Sequence, residues 1–236
     1  VHVARFQGDR AAPTRQHDEL REAARAMHER AGRQARQTGC LDGVADELEV
    51  WVDIPYGRVV LTVDRAADLP IMLYNYPARM GVSMGQAYFS AVSESKNIVA
   101  IKESSGDMAQ VHNLARNYPN ISLSCGWDDQ ALEFFAWGAR SWVCAGSNFI
   151  PREHVALYEA CVVEKDFDKG RKIMSAFMPL MDFLESGKFV QSIKAGCESN
   201  GLRTGSARSP PQPLYEHENQ ASQDIITPLK RPVALL

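Results

Sequence analysis

The hydrophobic rhythm of the chain changes near residue 68. From there to residue 150, short apolar runs alternate with longer amphipathic stretches. The runs are Leu69–Asn75, Ile98–Glu103, Ile121–Cys125 and Ser141–Gly146, and successive starts lie 29, 23 and 20 residues apart. Apolar runs this short read as buried strands, and the stretches between them are long enough for helices. SMGQAYFSAVSESK, between the first two runs, carries Ser83 and Gln86 at the spacing of a capping box. Met108, Val111, Leu114, Ala115 and Tyr118 fall on one face of the next helix. Asp128 stands where it can cap the third, whose Ala131, Leu132, Phe135 and Ala136 share a face. Strand and helix alternating at this spacing predict parallel β/α units joined by right-handed crossovers.

The flanks differ, which divides the chain into residues 1–67, 68–150 and 151–236. In the first segment Glu19–Gln37 can form a helix capped by Asp18, with Leu20, Ala23, Ala24, Met27 and Ala31 on one stripe. Leu48–Ile54 and Arg58–Asp64 read as a pair of short strands around Pro55-Tyr56-Gly57. Beyond Pro151 the pattern is helical. Val155, Tyr158, Cys161 and Val162 make one apolar face, and Met174, Phe177, Met181 and Leu184 make another, with Pro179 placed to kink it. Lys188–Asn200 reads as a further helix closed by Gly201. From Ser206 onward Pro, Gln, Asn and Ser dominate, and an extended or partly mobile tail is expected.

Composition narrows the class. With 236 residues, 45% hydrophobic and 23% charged, the chain can bury one substantial core. A net charge of −3 gives no reason to expect nucleic acid or an anionic membrane as a partner. No apolar run approaches a membrane span, and no secretory signal is evident. Five cysteines without CxxC spacing point to free thiols in a reducing, cytoplasmic setting. Six histidines form no HxxxH or HExxH pattern, so no metal is expected.

The chemistry concentrates at two strand ends. Lys102 closes the second apolar run, and Tyr74 closes the first at the equivalent point. A lysine in a low-dielectric strand-end site loses the ammonium preference and can attack a carbonyl to form a Schiff base. A neighbouring phenol can then move protons. Strand-end lysines are more often merely solvated, and strand tyrosines more often merely packed, so this pairing needs a wider pattern to carry it.

That pattern is present. YNYPARMG followed by IKESSGD, continuing through CGWDDQALEFFAWGARSWVCAGSNFIP and into KFVQSIKAGCESNGLRTGSARSPP, resembles the dihydrodipicolinate synthase and N-acetylneuraminate lyase family over about Asp68 to Pro213. Its members are Schiff-base, pyruvate-dependent aldolases built on a (β/α)8 TIM barrel. The resemblance implies an α/β fold in which the four predicted units are units five to eight, followed by C-terminal helices that help to build oligomers. It makes Lys102 the imine-forming nucleophile and Tyr74 the acid/base. Arg79 would hold the carboxylate of a second substrate, and the backbone of Gly126 and Val143 would line the pyruvate pocket. No cofactor is implied beyond the covalent imine on Lys102. The implied partners are a 2-oxo acid, an aldehyde substrate and further copies of the chain in a dimer or tetramer. Of the other strand-end groups, Asp128 and Asp129 suit a polyhydroxylated substrate, and Ser104, Ser105 and Asn148 have weaker claims. Trp127, Trp137 and Trp142 read as core or interface.

The implied activity is condensation of pyruvate with aspartate semialdehyde. A 2-oxo sugar-acid aldolase or dehydratase of the same family, and an impaired structural subunit, are the alternatives. The first 68 residues hold ten arginines and no lysine, and they lack the Gly-Thr-Thr-Gly-Glu loop that binds the pyruvate carboxylate in the family. They are too few for four further β/α units. A frameshift, a truncation and a replaced domain all fit an atypical N-terminal half.

Overall fold

The computed structural model describes residues 57–67, 69–208 and 211–230. The helix expected over Glu19–Gln37 and the strand expected over Leu48–Ile54 fall outside these residues. The described residues divide into two compact units, one comprising 57–67, 69–71 and Tyr76–Val99, the other Met72–Asn75, 100–208 and 211–230.

In the first unit, residues 57–67 form a helix (α1) rather than the expected strand Arg58–Asp64. The β-branched run Val59, Val60, Thr62, Val63 favours a strand locally, but tertiary contacts decide otherwise. The buried Asp64 carboxylate accepts from Ser95 Oγ at 2.7 Å and Asn97 Nδ2 at 2.8 Å, which ties the helix end to the turn before the next strand. These two donors hold the Asp64 carboxyl below its ordinary range. A short helix (α2, Pro77–Met80) ends on Gly81, whose φ of 69° suits a residue without Cβ. The next helix (α3, Gln86–Val92) buries Tyr88, Phe89 and Val92. Its N-cap is Gly85, with no side-chain cap, so the capping box expected from Ser83 and Gln86 does not form.

The second unit is built on a sheet of order β1-β2-β3-β4, where β1 is Ile71–Asn75, β2 Ile98–Glu103, β3 Ser122–Cys125 and β4 Ser141–Trp142. β1 and β2 begin in the first unit and end in the second. β2 pairs with β3 in parallel, Lys102 opposite Ser124 and Glu103 opposite Cys125. β3 pairs with β4 in parallel, Cys125 opposite Trp142. β4 is shorter than the predicted Ser141–Gly146 because Gly146 already starts a 3-10 turn over Gly146–Asn148. Helix α4 (Met108–Asn117), capped by Asp107 onto the Ala109 amide, buries Val111 and Leu114. Helix α5 (Ala131–Ala136) buries Ala131, Phe134 and Phe135, whereas Ala136 is exposed.

Helix α6 (Pro151–Tyr158) runs into a wider turn over Glu159–Glu164. Its buried face is His154, Leu157, Ala160 and Cys161, one position away from the expected Val155, Tyr158 and Val162. Helix α7 (Phe167–Glu185) buries Met174, Phe177, Met181 and Leu184 as predicted, and Pro179 lies inside it. Helix α8 (Phe189–Glu198) is closed at Gly201, φ 77°, whose amide bonds the Glu198 carbonyl. The tail is not extended throughout. Glu216–Leu229 forms a helix (α9) that buries Ser222, Ile226 and Leu229. A Tyr215–Glu218 capping box starts it, and Lys188 bonds Glu218 at 2.7 Å while lying 4.0 Å from the Tyr215 ring centroid. No helix of the described residues is long and apolar enough to cross a membrane.

Candidate active site

The site forms at the C-terminal edge of the sheet. The Ser104 amide donates to the Asn75 carbonyl at 2.8 Å, so the ends of β1 and β2 meet at one edge. Gly126 N–H donates to the Glu103 carbonyl and Val143 N–H to the Cys125 carbonyl, both at 2.9 Å, which brings the ends of β3 and β4 to the same edge. Tyr74, Lys102, Gly126 and Val143 are therefore gathered there, as the sequence reading expects.

Lys102 and Tyr74 touch. Lys102 Nζ lies over the Tyr74 ring, 4.2 Å from its centroid, close enough for a cation–π attraction. Lys102 is half-buried and Tyr74 is 41% exposed, so the pair opens to solvent on one side.

Glycine at 126 is a steric requirement. A Cβ there would collide with Ser104 Oγ and lie 2.7 Å from Lys102 Cγ and 2.8 Å from the Glu103 carbonyl oxygen. The Gly126 backbone thus forms a wall against the lysine stem, and its carbonyl accepts from Ser104 Oγ at 2.9 Å. Val143 is exposed, with its amide already used by Cys125. Arg79 belongs to the first unit, exposed on α2.

Asp128 behaves differently from the expectation of a helix cap. It opens a 3-10 turn over Asp128–Gln130, and its carboxylate reaches instead across to the loop after β4. Oδ1 accepts from Trp142 Nε1 at 3.0 Å and Oδ2 from the Ala145 amide at 2.9 Å. Burial pushes its carboxyl up to about 6, against the opposing pull of those two donors and the Lys102 charge. Trp142 is accordingly a structural donor that stacks edge-on against Phe135 and tilts against His154.

Asn75 and Glu103 escaped the sequence reading. Both are almost fully buried, and Asn75 Nδ2 donates to Glu103 Oε2 at 2.8 Å while the Ser105 amide donates to Oε1 at 2.7 Å. Burial raises the Glu103 carboxyl above its ordinary range. The available signal was a polar residue directly after each of Tyr74 and Lys102, closing runs that are otherwise apolar.

The cysteines near this edge are poor nucleophiles. Burial pushes Cys144 up to about 11 and Cys125 well above the ordinary thiol range, so both stay protonated at neutral pH. Among the described residues no cluster of His, Cys, Asp and Glu has the geometry to hold a metal ion.

The sequence model of the dihydrodipicolinate synthetase family matches residues 60–229. The chain belongs to this family. It is 39% identical over 146 residues to the 4-hydroxy-tetrahydrodipicolinate synthase of Exiguobacterium sibiricum, covering 61% of this chain and 50% of that protein. It is 30% identical over 169 residues to the enzyme of the same name from Methanothrix thermoacetophila, covering 70% and 56%. The chain thus spans about half the length of the curated relatives it matches. Among solved structures, the 4-hydroxy-tetrahydrodipicolinate synthase of Methylacidiphilum fumariolicum superposes with a TM-score of 0.71 at 28% identity, over 78% of this chain and 61% of that one. The Cyanidioschyzon merolae enzyme with lysine bound gives 0.70 at 26%, over 78% and 61%. The fold class is therefore the α/β TIM-barrel family, to which the four-stranded sheet and its helices belong.

Proposed function

We propose that the chain is a 4-hydroxy-tetrahydrodipicolinate synthase-like lyase that forms a Schiff base between Lys102 and pyruvate or a related 2-oxo acid. The observation that carries this reading is Lys102 Nζ held 4.2 Å over the Tyr74 ring at the open edge of a parallel sheet, in a chain of this family. The Lys102 ammonium gives up one proton, the resulting amine attacks the keto carbon to form the C–N bond, and the former keto oxygen takes that proton and a second one from the nitrogen to leave as water, giving an iminium. The iminium nitrogen then draws electrons from the adjacent methyl group, which loses a proton to become an enamine. That enamine carbon attacks the aldehyde substrate. Tyr74 is the proposed carrier for the proton lost from that methyl group, since its hydroxyl belongs to the ring that Lys102 touches.

Gly126 supports the reading by leaving space for the lysine stem and backbone next to it. The family resemblance alone assigns Arg79 to a substrate carboxylate and Val143 to the pocket wall, and both are proposed on that basis. No cofactor is needed beyond the imine. Assembly as a homodimer or homotetramer and a cytoplasmic setting complete the proposal. The relatives' shared name favours the synthase over a sugar-acid aldolase. Borohydride reduction in the presence of pyruvate, followed by peptide mapping, tests it. A reduced adduct on Lys102 supports the reading, and its absence from folded protein rejects it.

A further inference from the structure

We infer that the buried Asn75–Glu103 pair is a positioning device that sets the contact between Tyr74 and Lys102, an inference that rests on the Schiff-base reading for its catalytic meaning. Tyr74 and Asn75 are consecutive, as are Lys102 and Glu103, and successive strand side chains point to opposite faces of a sheet. Tyr74 and Lys102 therefore meet on one face while Asn75 and Glu103 meet on the other. The burial follows the same split: Tyr74 is exposed and Lys102 half-buried, whereas Asn75 and Glu103 are 0% and 1% exposed.

Glu103 joins three segments through one carboxylate and one carbonyl. Oε2 takes the Asn75 amide from β1, Oε1 takes the Ser105 amide from the loop after β2, and its backbone oxygen takes the Gly126 amide beyond β3. The Ser104 amide adds a bond to the Asn75 carbonyl. A one-residue slip of β1 against β2 would break this set and carry Tyr74 to the other face. A buried carboxylate is a costly way to hold two strands, and an apolar pair would pack as well. The gain is directional: hydrogen bonds of 2.7–2.8 Å fix the register to one value where apolar packing tolerates several.

Three variants separate positioning from bulk stability. Glu103→Gln leaves one of its two donors facing an amide. Asn75→Asp with Glu103→Gln restores the pairing with roles exchanged, since the amide introduced at 103 donates to the carboxylate introduced at 75 and still accepts from Ser105. Asn75→Leu with Glu103→Met keeps volume and removes the directional bonds. The readouts are the acetylation rate of Lys102 against pH, with Lys188 and Lys194 as internal controls, and the rate of borohydride-trapped pyruvate adduct. The expected result is a trapping rate at least ten-fold lower, with a shifted Lys102 profile, for the single and the apolar double variant. The exchanged pair should return to within about three-fold of wild type. Folded apolar-pair protein with a wild-type Lys102 profile overturns the inference, as does an exchanged pair that folds yet stays as impaired as Glu103→Gln. A wild-type protein that traps no adduct rejects the Schiff-base reading instead, and the acetylation profiles still judge the positioning role.

Discussion

Lys102 Nζ sits 4.2 Å above the centroid of the Tyr74 ring, so one side chain gives the amine an aromatic face and brings a hydroxyl to the same site. These contributions are separable. Tyr74→Phe keeps the ring and removes the hydroxyl. Adduct formation with pyruvate should survive, while turnover falls by about 10²–10⁴, the usual worth of a positioned proton carrier. Tyr74→Ala removes the ring as well and should also slow adduct formation. Single-turnover trapping beside steady-state kinetics distinguishes the two variants.

Gly126→Ala should be more damaging than its size suggests. Ser104 Oγ, the Lys102 stem and the Glu103 carbonyl all lie within 2.8 Å of the new methyl, and the last is backbone that cannot rotate away. A loss of about 1–3 kcal/mol in unfolding free energy is expected, together with loss of the Lys102 adduct. Chemical denaturation and mass spectrometry measure the two effects on the same sample.

Gly196→Ala sets two effects against each other. Inside α8 the substitution gains helix propensity of about 0.5–1 kcal/mol. The added Cβ, however, meets the Phe149 ring at 2.7 Å, and Phe149 is 2% exposed with little room to move. Overpacking of about 1–3 kcal/mol should win, giving a lower melting temperature. A variant more stable than wild type would show that Phe149 repacks freely.

Two buried groups give opposite acid dependences in one pH range. The Asp128 carboxyl is raised from 3.8 to about 6, so the folded state holds more protons than the unfolded state between those values. Its stabilising contribution is full below about pH 4 and is lost as pH rises through 6. His154 is buried between Trp142 and Phe177, its Nδ1 2.8 Å from the Ile150 carbonyl, and burial lowers it from 6.5 to about 4. Its contribution is full above 6.5 and is lost as pH falls through 4. In wild type the two slopes oppose each other. Asp128→Asn should be less stable than wild type at pH 4, since it loses one of two accepted hydrogen bonds, and the deficit should shrink by about 2 kcal/mol toward pH 7. Denaturation at pH 4, 5, 6 and 7 reads the trend, and a deficit that widens with pH contradicts it.

The legible parts of the sequence were those whose pattern is local. β2 ended at Glu103 and Met174, Phe177, Met181 and Leu184 shared a face, because a short apolar run or a 3.6-residue period suffices to place them. Where one tertiary contact outweighed local preference, the reading failed. α1 is helical despite its β-branched residues because Asp64 anchors it to Ser95 and Asn97. Asp128 looks like a helix cap until β4 brings Trp142 and Ala145 within reach. α9 shows only Ser222, Ile226 and Leu229 to the core, too thin a stripe to stand out in a polar tail. The Asn75–Glu103 bond joins residues 28 apart and needs the strand register before it is visible. The strand ends were legible too, and Tyr74, Lys102, Gly126 and Val143 come to one edge.

The central claim is that Lys102 forms a Schiff base. The most direct measurement is the intact mass of the protein after incubation with pyruvate and borohydride, with the modified peptide sequenced. The account predicts one reduced pyruvyl group per chain, on Lys102 and absent from Lys102→Ala. Folded protein that acquires no adduct, or acquires it on another lysine, would contradict it.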